Sequence, residues 1–399
     1  MIRPASGADL EALVAIEARA FASDRFSRRA FRYLLSRANA VTLVDAADES
    51  RGDGKGSGRV RGYVMVLFNR GTSLARLYSL ARDPDDRDHG IGAALLAAAE
   101  SVAIERDAAY MRLEVRADAE ATQAFYRAHG YRRFQLQPHY YEDNVAAVRM
   151  EKSLGPRPDP ALLRVPYYPQ SLDFTCGPAA LLMAMRAHDP SVRAEPRAEV
   201  RVWRESTTVF MTSGLGGCSP EGLALAAHRR GFTVSIFLSD RGVMFLESVR
   251  SPMKRDVIRL VEEDFREQCA VRGIPIEFRP LTIDVLRERV AAGDIPIVLI
   301  SSYYISREKQ PHWVVVTGVD DRYVFLHDPH VAEHLDKTAT DCMQIPVKHA
   351  LFVKMARYGR AHHHAALFVG KGPLGKEAPI RDLKRRDALT ADAVTKDRT

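Results

Sequence analysis

The residues Arg87-Asp88-His89-Gly90-Ile91-Gly92-Ala93 lie between a predicted strand, 73–82, and a predicted alanine-rich helix, 90–105. Glycines in such a turn let backbone N–H groups come close to an anion, and the start of the helix adds the positive end of its dipole. The motif therefore predicts a site for a phosphate or a pyrophosphate. The alternative is a glycine turn that only begins a helix, and the pattern alone does not decide between them.

Apolar periodicity predicts the element order β-α-α-β-β-β-α-β-α-β for the residues around this motif. A glycine-rich run, 51–58, predicts a mobile loop between two of the strands. The predicted strands are 2–5, 41–44, 60–68, 73–82, 110–115, 131–136 and 145–151, and the predicted helices are 9–21, 27–35, 90–105 and 120–129.

Three stretches accompany the glycine motif: 77–84 (Leu-Tyr-Ser-Leu-Ala-Arg-Asp-Pro), 112–116 (Arg-Leu-Glu-Val-Arg) and 124–131 (Ala-Phe-Tyr-Arg-Ala-His-Gly-Tyr). Together with the motif they resemble the GNAT acetyltransferase superfamily, and within it the N-terminal-alanine acetyltransferases of ribosomal proteins. The resemblance covers residues 1–152. It implies an α/β GNAT fold, with a mixed central sheet flanked by helices, and acetyl-CoA as the acyl donor.

The resemblance also implies roles for individual residues. The backbone of Leu80 and Arg82 would hold the acyl group and the pantetheine arm, and residues 87–93 would hold the pyrophosphate. Glu114 would be the general base, acting through a water molecule, and Tyr126 the general acid that protonates the leaving thiolate. Amine attack on a thioester needs both a proton acceptor and a proton donor, so these residue types suit the reaction. The alternatives are an exposed strand charge at Glu114 and a core aromatic at Tyr126.

One stretch departs from the family pattern. The related acetyltransferases usually carry an asparagine shortly after the strand that ends here at Arg116, whereas this chain has Ala117-Asp118-Ala119-Glu120. The departure bears on how the acyl donor and the acceptor are held.

Residues 153–160 (Ser-Leu-Gly-Pro-Arg-Pro-Asp-Pro) carry three prolines and one glycine, which predicts an extended linker over 153–162. A second domain is predicted over 163–370, with helices first and strands later, an order that suggests α+β architecture. A charged tail, 371–399, is expected to be disordered. The predicted helices are 176–187, 194–205, 220–230 and 255–270, and the predicted strands are 233–238, 295–301, 312–319 and 323–327, the last of which is expected to close the domain.

The stretch from Gln170 to Ala179 places Cys176 at the start of a predicted helix, where the pKa of a thiol is lowered. Gln170 lies close enough to donate an N–H group to an oxyanion. His312 begins a predicted strand and Asp328 follows the next strand, sixteen residues later. Two adjacent antiparallel strands would bring the imidazole and the carboxylate together, which predicts a Cys–His–Asp triad.

These residues resemble the bacteriocin-processing, double-glycine leader peptidases and their papain-like relatives, over residues 163–370. The resemblance implies a papain-like fold with Cys176 as the nucleophile, His312 as the base, Asp328 as the residue that orients the imidazole and Gln170 in the oxyanion hole. The family usually has an aspartate immediately before the cysteine, where this chain has Thr175. Double-glycine peptidases are also normally fused to membrane transporters.

Composition and charge narrow the class of protein. The net charge of +7 is spread along the chain, which is typical of a solvated surface, so we expect no nucleic-acid partner. No apolar run approaches 18 residues and the first residues lack a signal-peptide pattern, so we expect a cytoplasmic protein without a membrane partner. The four cysteines lack the paired spacing of a zinc site or a disulfide framework, and the tract 362–364 of three histidines is interpreted as surface, so no metal is expected.

The resulting hypothesis is a bifunctional enzyme. One domain would transfer an acetyl group from acetyl-CoA to an amine, such as a peptide or protein N-terminus. The other would cleave or trans-acylate a peptide bond through Cys176. Two alternatives stay open: a protein in which one of the two domains only recognises a substrate or ligand, and a binding or regulatory protein.

Overall fold

The structure of the 399-residue chain is a computed structural model. It describes residues 1–36, 39–47, 59–86, 90–155, 162–207, 216–244, 246, 249, 251–332, 337–359 and 362–372. Within these residues the strands form two sheets of seven strands each. No helix in the described part of the chain is long and apolar enough to cross a bilayer.

The first sheet belongs to the N-terminal half, residues 1–155. Its strands are β1 (Ile2–Pro4), β2 (Ala40–Ala46), β3 (Val60–Phe68), β4 (Leu74–Arg82), β5 (Tyr110–Arg116), β6 (Arg132–Gln137) and β7 (Ala147–Ser153). Its helices are α1 (Leu10–Ala20), α2 (Arg28–Ser36), α3 (Ile91–Glu105) and α4 (Glu120–Ala128). The strand order is β1-β2-β3-β4-β5-β7-β6, and every neighbouring pair is antiparallel except β4 and β5.

Both faces of this sheet are covered by helices. One apolar core joins the sheet to α3 and α4, and the other joins it to α1 and α2. The sheet alternates its side chains between these two cores, since neighbouring residues of a strand point to opposite faces. The arrangement is a mixed central sheet flanked by helices, as the sequence predicts.

The parallel strands β4 and β5 separate soon after they meet. Their ladder joins Leu74, Ala75 and Arg76 of β4 to residues 110–112 of β5, although both strands continue beyond it. On its other side β4 pairs with β3 as far as Arg82, with a shift in register between Ser79 and Leu77. The separated ends of β4 and β5 therefore form a cleft at the middle of the sheet.

The second sheet belongs to the C-terminal half, residues 162–372. Its strands are β8 (Thr233–Leu238), β9 (Ile276–Phe278), β10 (Ile295–Ser301), β11 (Pro311–Val319), β12 (Tyr323–His327), β13 (Ile345–Lys348) and β14 (Ala365–Gly370). Its helices are α5 (Cys176–His188), α6 (Pro196–Ser206), α7 (Pro220–His228), α8 (Pro252–Val271), α9 (Ile283–Ala291), α10 (Tyr303–Ser306) and α11 (His349–Met355).

The strand order of this sheet is β13-β12-β11-β10-β14-β8-β9, and only β8 and β9 are parallel among the described strands. Helices α5 to α8 share one apolar core with the sheet, and α9 to α11 share a second core on its opposite face. The helix that begins at Cys176 lies against β10 and β11, because its buried side chains fill the first of these cores.

The expectation that the strand 323–327 closes the second domain is wrong. Strand β13 follows it, and β14 lies in the middle of the sheet between β10 and β8. The short apolar run 365–370 follows three histidines, so the sequence around it gives little indication of a central strand. The predicted loop 51–58, part of the predicted linker, and residues 373–399 of the predicted tail lie outside the described residues.

The two halves are in contact through both apolar and polar groups. Leu74, Ala109 and Tyr110 of the N-terminal half pack against Tyr323 and Phe325 of the C-terminal half. The ring centroids of Tyr110 and Phe325 are 6.2 Å apart. The contact places the first residues of β4 and β5 beside strand β12, close to the sites described next.

Candidate active sites

Cys176 is the first residue of α5, where the free N–H groups of the helix and its dipole favour a thiolate. The side chain is partly exposed, and the cysteine is unpaired. Gly177, the next residue, allows close packing: a Cβ atom there would lie 3.0 Å from Trp313 and 3.2 Å from Leu223. The first turn of α5 is thus held firmly against β11 while the thiol remains accessible.

His312 and Asp328 meet beside this thiol. His312 lies near the start of β11, Asp328 directly follows β12, and the two strands are antiparallel neighbours. The imidazole Nε2 lies 2.7 Å from the Asp328 Oδ1 atom. The His312 side chain also interacts with the Cys176 thiol, so the imidazole contacts both the thiol and the Asp328 carboxylate.

The electrostatics of the three groups favour a thiolate–imidazolium pair. Burial alone would raise the pKa of Cys176, but the hydrogen bond and charge of His312 outweigh burial and lower it. Burial likewise opposes the charged form of His312, but the Asp328 carboxylate outweighs burial and raises the pKa of this imidazole. The Asp328 carboxylate also accepts the backbone N–H of His330 at 2.8 Å, which fixes its orientation.

Glu199 is a residue of this site that sequence reasoning missed. It lies on α6, is fully buried, and binds the loop that leads into Cys176. Its carboxylate accepts the backbone N–H of Ser171 at 2.9 Å, the Tyr168 hydroxyl at 2.8 Å and the Thr175 hydroxyl. A buried carboxylate therefore holds Thr175, at the position where the related peptidases carry an aspartate.

Gln170 lies in the same loop. Its side-chain Nε2 donates to the backbone oxygen of Leu172 at 2.9 Å, and its backbone N–H donates to the oxygen of Pro329 at 2.8 Å. One amide hydrogen of the side chain is thus occupied and the second is available to a further acceptor. The side chain of Gln170 is thus anchored to its own loop, and its backbone to the residue after Asp328.

The other three cysteines are buried. Burial raises the pKa of Cys218 to about 12 and that of Cys269 to about 12. The backbone oxygen of Cys218 accepts the Trp313 indole N–H at 3.3 Å, so this residue lies behind the first turn of α5. These thiols are held in the protonated, unreactive form, in contrast to Cys176.

The histidine tract lies away from both sites. His363 Nδ1 lies 3.0 Å from an Asp240 oxygen, and His364 Nε2 lies 3.0 Å from the backbone oxygen of Arg279. No group of three or more metal-ligating side chains gathers within the ranges that the structure describes.

In the N-terminal half, the cleft between β4 and β5 leads to the start of α3. The first helical hydrogen bond of α3 runs from Ala94 N–H to the Gly90 oxygen at 3.0 Å. The N–H groups of Ile91, Gly92 and Ala93 precede it and are therefore suited to an anion. Arg87, Asp88 and His89 of the predicted phosphate motif lie outside the described residues.

Two predicted contacts of the acyl donor lie at the end of β4. Leu80 is partly buried beneath α3, and Arg82 is exposed, with its guanidinium donating to the backbone oxygen of Asp86 at 2.9 Å. Both residues come after the β4–β5 ladder ends, so their backbone borders the cleft.

Glu114 lies on β5, two residues beyond the ladder. Arg76 binds its Oε2 atom through Nε at 3.1 Å and Nη2 at 3.0 Å, and the Nε of Arg149 lies 3.9 Å from Oε1. Oε1 is buried and has no hydrogen-bond partner among the described residues. The alternative interpretation of Glu114 as an exposed strand charge is thus wrong, because its carboxylate is buried.

Tyr126 lies on α4 and belongs to the core beneath the cleft. Its ring centroid is 5.2 Å from that of Phe125 and 5.5 Å from that of Tyr131. Burial raises the pKa of its phenol, so the proton is retained through the neutral range. The residue therefore combines core packing with the protonation state that a general acid needs.

Sequence reasoning also missed a segment, residues 338–344, that contacts both sites. Arg112 of β5 is buried and donates through Nη1 to the Thr340 oxygen at 2.9 Å and to the Met343 oxygen, and through Nη2 to the Gln344 oxygen at 3.2 Å. On the other side, the backbone oxygen of Cys342 accepts the N–H of Asp328 at 2.8 Å. The sequence signal for this contact is weak: Arg112 is a charged residue between two apolar neighbours, Met111 and Leu113, in a strand that carries other charges as well.

Comparisons with known proteins agree with this division. The model of the Acetyltransferase (GNAT) family matches residues 10–131. An uncharacterised N-acetyltransferase of Methanocaldococcus jannaschii is 31% identical over 153 residues, which span 38% of this chain and 90% of the relative. The N-terminal half is thus a GNAT acetyltransferase domain, and the predicted GNAT fold is confirmed.

Solved structures also overlap the N-terminal half. The ribosomal-protein-S18-alanine N-acetyltransferase of Escherichia coli is 24% identical, with 40% of this chain and 97% of that chain covered and a TM-score of 0.34. Ard1 of Thermoplasma volcanium is 25% identical, with 39% and 98% covered and a TM-score of 0.34.

The C-terminal half matches the model of the Peptidase_C39 like family over residues 165–370. The match contains Cys176, His312 and Asp328, and it spans just over half of the 399 residues. The chain therefore belongs to the Peptidase_C39 like family, with a GNAT acetyltransferase domain preceding the matched region.

Proposed function

We propose that this chain is a bifunctional enzyme of peptide metabolism. The C-terminal half cleaves or trans-acylates a peptide bond through Cys176. The N-terminal half transfers an acetyl group from acetyl-CoA to an amine, for which a peptide or protein N-terminus is the favoured acceptor. We propose the cytoplasm as the compartment of both activities.

The contact chain Cys176–His312–Asp328 carries the first activity. The Cys176 thiolate attacks the carbonyl carbon of the scissile bond, and the negative charge moves to the carbonyl oxygen. In this proposal, the second amide hydrogen of Gln170 and the N–H groups at the start of α5 stabilise that oxygen. The C–N bond then breaks, and the His312 imidazolium gives its proton to the leaving amine.

The second stage of this reaction releases Cys176. Neutral His312 takes a proton from a water molecule, whose oxygen attacks the thioester and breaks the C–S bond. The products are a carboxylate and the regenerated ion pair. If an amine replaces water, the same stage forms a new amide, so hydrolysis and trans-acylation use the same groups. Asp328 holds the imidazole in the orientation that serves both stages.

The cleft between β4 and β5 carries the second activity. The N–H groups of Ile91, Gly92 and Ala93 suit the pyrophosphate of acetyl-CoA, which supplies an activated acyl thioester when bound. The acceptor nitrogen attacks the thioester carbonyl, and its surplus proton passes through water to the free Oε1 of Glu114. Tyr126 gives a proton to the departing sulfur.

A peptide N-terminus is favoured as the acceptor because of the neighbouring half. Cleavage at Cys176 produces a new α-amine, and an amine is what the acetyl transfer consumes. The contact of Arg112 with the 338–344 segment also links the half that would produce the amine to the half that would use it.

Mass spectrometry of a peptide library incubated with acetyl-CoA tests the proposal. Wild type is expected to give peptides heavier by one acetyl group as well as cleavage products. Cys176→Ala should lose the cleavage products and keep acetylation of added free N-termini, whereas Tyr126→Phe should do the reverse. Acetylation without cleavage in wild type would favour a C-terminal half that only recognises substrate. The absence of both products would refute the peptide hypothesis.

A further inference from the structure

The buried guanidinium of Arg76 is shared between carboxylates of the two halves. Its Nε and Nη2 atoms bind Glu114 of β5 at 3.1 and 3.0 Å, and its Nη1 lies 3.3 Å from an oxygen of Asp341 in the C-terminal half. Nη2 also donates to the Tyr140 hydroxyl at 3.1 Å. The Arg76 side chain is 4% exposed, so these partners replace water almost completely.

Both carboxylate oxygens of Asp341 accept hydrogen bonds from other residues. One carboxylate oxygen accepts the backbone N–H and the hydroxyl of Thr338 at 2.9 and 3.1 Å. The other oxygen accepts the side-chain amide of Asn69 at 2.8 Å. The side chain is 2% exposed. The C-terminal half therefore presents a fixed negative charge to the N-terminal site.

Four buried charges balance one another around the cleft. Arg76 and Arg149 carry positive charge, and Glu114 and Asp341 carry negative charge. Burial alone would lower the pKa of Arg76, but Glu114 and Asp341 outweigh burial and raise it, so this guanidinium stays charged. The phenol of Tyr140 faces the same group, and burial raises its pKa to about 12, so it adds no charge near neutral pH.

Removal of the Asp341 charge would leave two guanidinium groups against one carboxylate. Arg76 could then turn fully toward Glu114, and the cluster would carry a net positive charge in a medium of low dielectric. A guanidinium turned fully toward Glu114 would contact its Oε1 atom as well, and that atom would then be less available to the proton released by the amine. The acetyl-transfer step would slow, although the groups that bind acetyl-CoA would be unchanged.

We infer that Asp341, supplied by the C-terminal half, is a positioning residue of the acetyltransferase site that draws Arg76 away from the acceptor oxygen of Glu114. The inference rests on the proposed function of Glu114 as the base. It means that the GNAT site of this chain is completed across the contact between its halves.

The test measures acetyl transfer by the full chain, with the acceptor found in the peptide screen. Asp341→Asn is expected to lower kcat about 10-fold, with the KM for acetyl-CoA within about 2-fold of wild type, and Asp341→Glu should restore most of kcat. Lys348→Ala serves as the control, because it removes a different ion pair between the halves, Lys348 to Asp107 at 3.0 Å.

A double-mutant cycle with Arg76→Met separates positioning from folding. Because Asp341 acts through Arg76, Asp341→Asn should cause no further loss of kcat in the Arg76→Met background. The Arg76→Met background also relieves the unbalanced charge if Asp341→Asn alone fails to fold. An unchanged kcat in Asp341→Asn, or equal losses in both backgrounds, would overturn the inference. No acetyl transfer by wild type would instead overturn the proposed function.

Discussion

The two candidate sites differ in how much of the reacting system the protein itself provides. In the C-terminal half the proposed nucleophile, Cys176, and the proposed base, His312, already lie together with the carboxylate of Asp328. In the N-terminal half the structure offers an opening between two strands, with Glu114 held by arginines and Tyr126 packed in the core. One site is assembled around a protein atom, and the other around a cleft between two strands.

Chemistry explains this difference. A thiol is a weak nucleophile until it loses its proton, so a thiol site must hold its ion pair before substrate arrives. An amine and a thioester both come with the substrates, so an acetyltransferase gains chiefly by orientation and by placing proton acceptors and donors. Substitutions at the two sites are therefore expected to have effects of different size.

The largest effect is expected for the base of the thiol site. His312→Ala removes the proton acceptor for Cys176 and should lower the kcat/KM of peptide cleavage about 10³-fold or more. His330→Ala is the matched control, because the centroid of the His330 ring lies 6.3 Å from that of His312 and the His330 ring takes no part in the His312–Asp328 hydrogen bond. Similar losses in both variants would contradict the assignment.

The second largest effect is expected for the contact between the halves, as a loss of stability. Arg112→Met removes the hydrogen-bond donor of two buried carbonyl oxygens and one partly buried carbonyl oxygen of the 338–344 segment, and should destabilise the chain by about 3 kcal/mol. The free energy of unfolding, from urea denaturation followed by fluorescence, measures this loss. Lys348→Ala, which breaks an exposed ion pair, should cost less than about 1 kcal/mol. Equal costs would show that the contact is not anchored at Arg112.

The acid of the acetyltransferase site should show an intermediate effect. Tyr126→Phe removes the proton donor for the leaving sulfur and should lower the kcat of acetyl transfer about 10- to 100-fold. Tyr131→Phe tests the packing contribution, because its ring lies 5.5 Å away in the same core. If both variants lose activity and stability alike, Tyr126 is only a core aromatic.

The smallest effect is expected for the pH dependence of the thiol site. The raised pKa of His312 means that the ion pair is present below that pKa and is lost as pH rises through it. Asp328→Asn removes the charge that stabilises the imidazolium, so the alkaline limb of the kcat/KM of peptide cleavage should move to lower pH by about one unit, because the imidazolium protonates the leaving amine. The kcat/KM of peptide cleavage between pH 5 and 10 measures the limb. An unmoved limb would mean that Asp328 does not support the imidazolium.

Local pattern was enough to predict most of the fold. The strands 233–238, 295–301 and 323–327 are predicted at the bounds where they are found, and the helix predicted over 176–187 ends one residue later, because each is a mainly apolar run with clear ends. Strand β14 was missed because its neighbours in the sheet, β8 and β10, lie far away in sequence. Long-range pairing leaves no local signal.

The residues of the two sites also differ in how far the sequence predicts them. Cys176, His312 and Asp328 stand out because their residue types and their places at element ends suit thiol chemistry. Glu199, Arg76 and Asp341 are ordinary charged residues in the sequence, and only the packing of distant segments shows that they are buried and paired. What sequence reasoning missed is the set of residues that hold the reacting groups rather than react.

The central position of β14 has a consequence for synthesis on the ribosome. The sheet of the C-terminal half cannot be completed until residue 370 has been made, because β14 alone joins β10 to β8. The N-terminal half, by contrast, is finished some two hundred residues earlier and can fold as a unit during translation. Until the 338–344 segment has been synthesised, Arg76 and Arg112 lack the partners that this segment provides. The acetyltransferase domain on the ribosome therefore lacks part of its final set of contacts.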